Sequence, residues 1–267
     1  MASPNLTPVI LTYNEEPNLA RTLDALSWAS RVIVLDSGST DGTEALAKSY
    51  ANVDWRYRRF DRHRDQWAHA LESPGIDTEW VIALDADMVV SPQFIEEFRD
   101  VYLAGDYNCG IVSFAYRVLG QDLGCALYPP DLRLFRRGKV RIIQDGHTQR
   151  FLADGPAYHF RNRVVHDDRK PLDRWVHEQL RYSSLELNKM ADGSGPQGLK
   201  STLRKLGVMP LISGLIAYCR AGGPLNGSAA LEYAYERLTF ESILAMRVLR
   251  SRASDAQNSS AWEIKNV

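Results

Sequence analysis

In the stretch WVIALDADMVV, residues 80–90, an apolar run breaks into two carboxylates one residue apart, Asp85 and Asp87. A carboxylate at the end of a buried strand is costly unless it is paired, hydrogen-bonded or bound to a cation. Oxygen ligands of this kind suit Mg²⁺ or Mn²⁺. The same pair also fits an acidic turn ahead of a helix capped by Ser91. Polar clusters follow other apolar runs too: TYNEE at 12–16 and DSGSTDG at 36–42. IIQDGHTQRF at 142–151 combines Asp145 with His147. A histidine with an ordinary pKa of about 6.5 suits proton transfer at neutral pH, and an Asp-Gly pair equally suits a hairpin turn.

These clusters need a frame, and the first hundred residues supply an alternating one. TPVILTY, RVIVLDS, VDWRYRRF and EWVIALDAD read as strands. Between and after them, EEPNLARTLDALSWA, STDGTEALAKSYA, DQWAHALESPG and SPQFIEEFRDVYLA carry apolar residues at helical spacing. Pro17 and Pro92 sit where first helical turns begin, and Ser91 and either Ser39 or Thr40 fit N-caps. Such alternation predicts an α/β fold with a mostly parallel sheet covered by helices. In that architecture ligands bind at the carboxyl ends of the strands, where the polar clusters fall. Extended segments follow between Cys109 and His166, then a helix through PLDRWVHEQLRYSSLELNKM. ADGSGPQG at 191–198 is a turn-rich break, which sets the expected domains at 1–190 and 191–267. A helical run from Ser228 to about Arg252 and a frayed last dozen residues close the chain.

Composition bounds the function. The 267 residues carry a formal net charge of -1, with 45% hydrophobic and 24% charged residues. That is ordinary for a globular chain with a sizeable core. Near-neutral charge argues against bulk nucleic-acid binding. Cys109, Cys125 and Cys219 have no zinc or redox spacing, so free thiols in a reducing compartment are expected. The first residues lack a basic segment followed by an apolar core, so no signal peptide is expected.

VILTYNEEPNL, VIVLDSGSTDGT and VIALDAD, in this order, resemble the family 2 glycosyltransferases over roughly residues 7–170. The resemblance implies a GT-A type nucleotide-sugar domain, an inverting reaction, and a divalent cation, Mn²⁺ or Mg²⁺, at the donor diphosphate. It implies Asp87 as a direct metal ligand and Asp85 as a ribose or metal-shell partner. Donor contacts would come from Thr12, Tyr13, Asn14 and Glu15, from Asp36, Ser37 and Gly38, from Arg64 and Gln66, and from Ala86. In the family the acid at Asp36 accepts a hydrogen bond from uracil, so a UDP-linked donor is expected. This chain has Ser37 where relatives often carry a second acid, and Trp67 and His69 where they often carry Arg and Asn.

The general base of an inverting displacement lies across the sugar from the diphosphate. The resemblance places it in the segment of Asp145 and His147; many relatives have His-Glu there, and this chain has His147-Thr148. VVHDDRKPLDRW resembles a segment of bacterial lipopolysaccharide-core glucosyltransferase-like proteins. It makes His166 a further metal ligand and lets Arg169 and Lys170 neutralise phosphate. The basic run at 133–141 could meet an anionic acceptor or be a solvated edge strand.

The segment KSTLRKLGVMPLISGLIAYCRAGG pairs an apolar face with Lys200, Arg204, Lys205 and Arg220. It suits a helix on an anionic membrane surface, or core packing, or a second subunit. The expectation is a cytoplasmic glycosyltransferase, peripheral at the inner membrane face, taking a nucleotide-sugar donor and a saccharide or glycolipid acceptor. The alternative is a non-catalytic nucleotide-sugar sensor or scaffold of the same fold.

Overall fold

The computed structural model describes residues 5–72, 74–124, 129–145, 148–193 and 198–265, with the backbone alone at 103, 145, 148 and 254–265. The alternating half runs β1 (Leu6–Thr12), α1 (Glu16–Asp24), β2 (Val32–Asp36), α2 (Thr43–Lys48), β3 (Val53–Tyr57), α3 (His63–Glu72), β4 (Trp80–Asp85), β5 (Met88–Val89) and α4 (Pro92–Ala104). Extended segments follow: β6 (Cys109–Val112), β7 (Phe114–Val118), β8 (Gln121–Asp122), β9 (Asp131–Arg136), β10 (Val140–Asp145), β11 (Thr148–Ala153), β12 (Ala157–His159) and β13 (Val164–His166). The chain ends in α5 (Leu172–Ala191), α6 (Leu199–Lys205), α7 (Met209–Arg220), a 3-10 turn (Gly223–Asn226) and α8 (Gly227–Lys265).

The main sheet has seven strands in the order β12-β6-β9-β4-β1-β2-β3. β1 pairs in parallel with both β2 and β4, and β2 with β3. β9 is antiparallel to its neighbours β4 and β6, while β12 is parallel to β6. The expected α/β fold with a mostly parallel central sheet and a C-terminal helical region is therefore present. β2 is buried along its whole length, as are β1 and β4 but for one residue each. That explains why these strands read as continuous apolar runs rather than alternating ones. Their core includes Val9, Ile33, Leu35, Ala83 and Phe135, with Trp67 of α3 packed edge-on to Phe151.

Ser91 caps α4 as expected, its Oγ accepting from the Phe94 N–H at 3.1 Å, with Pro92 just inside. Ser39 and Thr40 do not cap α2; Gly42 holds that position. The part of the basic run in β9, with Arg133 and Arg136, is not on an edge strand, because β9 lies between β4 and β6; Arg141 lies in β10 of a two-stranded sheet with β11.

The chain divides into two compact units, Met1–Asp122 with Ala126–Lys170, and Leu123–Cys125 with Pro171–Val267. The units thus part at Lys170 rather than at residue 190. α5 is tied to α8, where Arg247 donates to Ser183 Oγ and to the Leu180 carbonyl. In the same unit Arg204 of α6 is buried between Glu241 and Glu186, with contacts of 2.6–3.0 Å. α8 continues to Lys265 where a frayed end was expected; no Gly or Pro interrupts it after Gly227. No helix among the described residues is long and apolar enough to cross a membrane.

Candidate active site

The Asp-Ala-Asp triplet is where the chain changes sheets. Asp85 is the last residue of β4 in the main sheet, and Met88 opens β5 in a four-stranded sheet of order β5-β13-β7-β8. β5 pairs antiparallel with β13, setting Met88 opposite His166. This crossing brings the His166 ring beside Asp87, although 79 positions separate them. His166 Nε2 lies 3.6 Å from Asp87 Oδ2. The imidazole is stacked on Tyr116 of β7, ring centroids 4.5 Å apart. The Asp87 carbonyl accepts from the Asp167 N–H at 2.9 Å, and the Ala86 carbonyl from Thr22 Oγ1 at 2.7 Å, fixing the turn.

The two acids of the triplet have different surroundings. Asp85 is half exposed and its Oδ2 meets Arg133 Nη1 at 3.3 Å. Arg133 is otherwise bound to Asp131 and lies over the Phe114 ring. Burial opposes its charge, but Asp85 and Asp131 outweigh burial and hold its pKa above the ordinary arginine value. Asp87 is 7% exposed, and its Oδ1 is buried with no hydrogen-bond partner among the described residues. A buried carboxylate oxygen left unpaired is unfavourable unless a cation meets it.

Lys170 forms the other wall. Its Nζ lies 3.1 Å from Asp168 Oδ2, 3.3 Å from Glu15 Oε1 and 3.7 Å from Asp87 Oδ2. Burial disfavours the ammonium, yet Asp87, Glu15 and Asp168 more than compensate and raise its pKa. Burial pushes the Glu15 carboxyl up to about 7, against the lowering pull of Lys170. Asn18 organises this wall: its Nδ2 donates to Glu15 and Asp168, and its Oδ1 accepts from the Arg169 N–H. Among the described residues no three His, Cys, Asp or Glu side chains form a ready metal cluster. Asp87 with His166 is the part of the expected ligand set that is brought together, and its unpartnered buried oxygen fits a hard divalent cation.

On the next strand ends, Asp36 holds its own loop. Its Oδ2 accepts the Gly38 and Ser39 N–H groups, and its Oδ1 accepts Thr12 Oγ1 and Ser39 Oγ. Both oxygens are thus engaged within the protein, where a contact with the base was expected. Gly38 has φ +100°, a conformation glycine tolerates. Asn14 has φ 55° and locks the two loops together: its N–H donates to Ser39 Oγ and its side-chain oxygen accepts the Thr40 N–H. Tyr13 is exposed beside them. Gln66 is buried and donates to Ser37 Oγ at 3.0 Å.

Other expected residues lie apart from this group. Arg64 turns to β10, donating to the Ile142 carbonyl and, through its backbone, to Gln144. Arg169 makes a paired contact with Asp167 and is half exposed. Asp145 ends β10, its backbone opposite Thr148 of β11; its side chain and His147 lie outside the described residues. Lys170, Asn18 and Asp168 carry more of the geometry than Arg169 does. The signal for Lys170 and Asp168 was the run HDDRKP, in which the lysine and the arginine were indistinguishable by sequence; Asn18 lies in the distant EEPNL stretch.

Residues 7–124 match the family model described as glycosyl transferase family 2. Over that stretch the chain is similar to the family 2 glycosyltransferases. The match takes in Asp36, Asp85 and Asp87 and ends ahead of His166 and Lys170. Over 276 residues the chain is 27% identical to the lipopolysaccharide core biosynthesis glycosyltransferase LpsC of Rhizobium meliloti, covering 92% of this chain and 94% of that protein. It is 24% identical over 131 residues to the putative glycosyltransferase EpsH of Bacillus subtilis, covering 46% of this chain and 37% of that one. Among solved structures, S. aureus TarS 1-349 in complex with UDP-GlcNAc has a TM-score of 0.49 at 11% identity, covering 92% of this chain and 91% of that one.

Proposed function

We propose that this protein moves a sugar from a UDP-linked donor to a hydroxyl of a lipopolysaccharide-core or related cell-envelope glycan, with inversion and with the help of Mn²⁺ or Mg²⁺. The observation that carries the reading is Asp87, with a buried unpartnered oxygen and with His166 Nε2 3.6 Å from its other oxygen, at the carboxyl end of a central strand. The lipopolysaccharide-core assignment of the LpsC relative supports the acceptor class, and the extent of that match supports carrying it over.

Asp87 and His166 would hold the cation, which when bound supplies charge neutralisation for the leaving diphosphate. The protein's own residues supply the remaining functions. The loops of Thr12–Glu15 and Asp36–Gly38 are cross-tied by Asn14, Ser39 and Asp36 and present a pre-formed rim for the nucleoside. Lys170 keeps a charged ammonium at the diphosphate corner. Asp85, half exposed and paired with Arg133, would meet the ribose. As the acceptor oxygen bonds to the anomeric carbon and the carbon–oxygen bond to the diphosphate breaks, Asp145 or His147 takes the acceptor proton. The enzyme would work at the cytoplasmic face of the membrane.

The test is UDP release from a panel of UDP-sugars with Mn²⁺, with and without lipopolysaccharide-core oligosaccharide. The proposal expects release from one sugar donor, faster with acceptor. Tight UDP binding with no release or transfer from any donor would favour a nucleotide-sugar sensor instead.

A further inference from the structure

Helix α7 is built inside out for a helix packed within a folded chain. Gly214, Ala217 and the following Ala221 recur at helical spacing and are buried. A Cβ added at Gly214 would meet Leu238 of α8 at 3.3 Å, so the small residues are the face that α8 covers. The large aliphatic residues point the other way. Leu211 is 73% exposed and Leu215, four residues on, is 66% exposed, with Val208 and Ile216 beside them on adjoining positions. Leu206 and Leu225, just before and after the helix, are also exposed. A helix packed on a core ordinarily hides its largest apolar residues and shows polar ones. A contiguous exposed apolar stripe marks a surface that meets something.

Charge identifies the partner. From Gly193 to Leu231 the sequence contains no Asp or Glu, while Lys200, Arg204, Lys205 and Arg220 are basic. Arg204 is consumed in the buried pairing with Glu241 and Glu186. Lys205 and Arg220 are exposed at the two ends of the leucine stripe. A second copy of the chain docking the same stripe would set this acid-free segment, with its cations, against itself. An anionic lipid surface offers the matching charge and the apolar phase together. We infer that the Val208–Leu215 face of α7, flanked by Lys205 and Arg220, docks the protein in the interface of an anionic phospholipid bilayer. Docking there deepens the membrane-face part of the proposed function, and none of these residues is a donor-site residue, so loss of vesicle binding and loss of donor turnover are distinguishable.

The experiment is co-sedimentation of the full chain with vesicles of phosphatidylcholine alone and of phosphatidylcholine with phosphatidylglycerol, at low and high salt. The expected result is binding to the anionic vesicles that weakens with salt. In Leu211→Glu/Leu215→Glu it should weaken by on the order of tenfold or more. Lys205→Glu/Arg220→Glu should remove the preference for phosphatidylglycerol. Circular dichroism and Tm verify folding, and Leu215→Ser replaces the double glutamate variant if that variant is unfolded. A wild-type protein that stays in the supernatant with anionic vesicles overturns the inference, as does a folded leucine variant that sediments like wild type. So does a wild-type dimer that the leucine variant splits while neither form binds vesicles, which would make the second copy the occupant.

Discussion

Lys170 holds its ammonium 3.7 Å from Asp87, the same carboxylate whose other oxygen is buried without a hydrogen-bond partner among the described residues. A built-in cation and a site for an added one therefore share a single acid. Lys170→Met removes one positive charge from among Glu15, Asp87 and Asp168; Glu15, already raised to about 7 against the pull of Lys170, then takes up a proton, and Asp87 and Asp168 lose their cation. Breaking such a buried pairing from one side costs about 3–5 kcal/mol. A divalent cation should restore more stability to this variant than to wild type, because its binding no longer opposes a resident ammonium. Thermal melting in chelator and in Mn²⁺ measures both: a lower Tm in chelator, and a larger Mn²⁺-induced rise than in wild type.

Glu97 of α4 anchors the segment that leads to His166. Its carboxylate accepts from the Arg161 and Asn162 N–H groups, Asn162 Nδ2 and Tyr158 Oη. Burial raises its pKa, but these donors outweigh burial and hold it at about 2. A carboxylate depressed in the folded state contributes stability above its unfolded pKa and loses it as pH falls through the folded value. Glu97→Gln should therefore cost about 2–3 kcal/mol at pH 7. The deficit should shrink as pH falls from about 4.5 towards 2, the ordinary and folded values for this carboxyl. Urea unfolding of both proteins across that range reads it directly.

The sequence made some of this legible and not the rest, for physical reasons. β1, β2 and β4 are buried on both faces, so their residues are almost all apolar and the acids that end them stand out. Ser91 and Pro92 form a local cap, and local chemistry can be read locally. The antiparallel insertion of β9 between β4 and β6 depends on long-range pairing that no short motif encodes. The same is true of Lys170, whose three carboxylates come from positions 15, 87 and 168. Asp36 was visible as a strand-end acid, but its bonds to Ser39 and Thr12 needed coordinates. Gly42 replaced Ser39 and Thr40 at the α2 cap because Ser39 is drawn to Asp36 and the Thr40 N–H to Asn14.

Arg204 tests the second unit. Its guanidinium is buried against Glu241 and Glu186, which link α6 to α8 and α5. Arg204→Leu leaves both acids without that partner and should cost about 3–5 kcal/mol. Replacing all three by apolar residues of similar size should recover most of the loss, since a packed apolar cluster often equals a buried ion pair. Chemical denaturation of the single and triple variants distinguishes the two outcomes.

The central claim is that Asp87, with His166, holds the cation that the donor diphosphate needs. Calorimetric titration of UDP into the protein, with Mn²⁺ and with chelator, tests it most directly in wild type and in Asp87→Ala. The account predicts that Mn²⁺ tightens UDP binding in wild type and that Asp87→Ala, still folded, loses this tightening. Equal Mn²⁺-dependent UDP binding by the two proteins would contradict it.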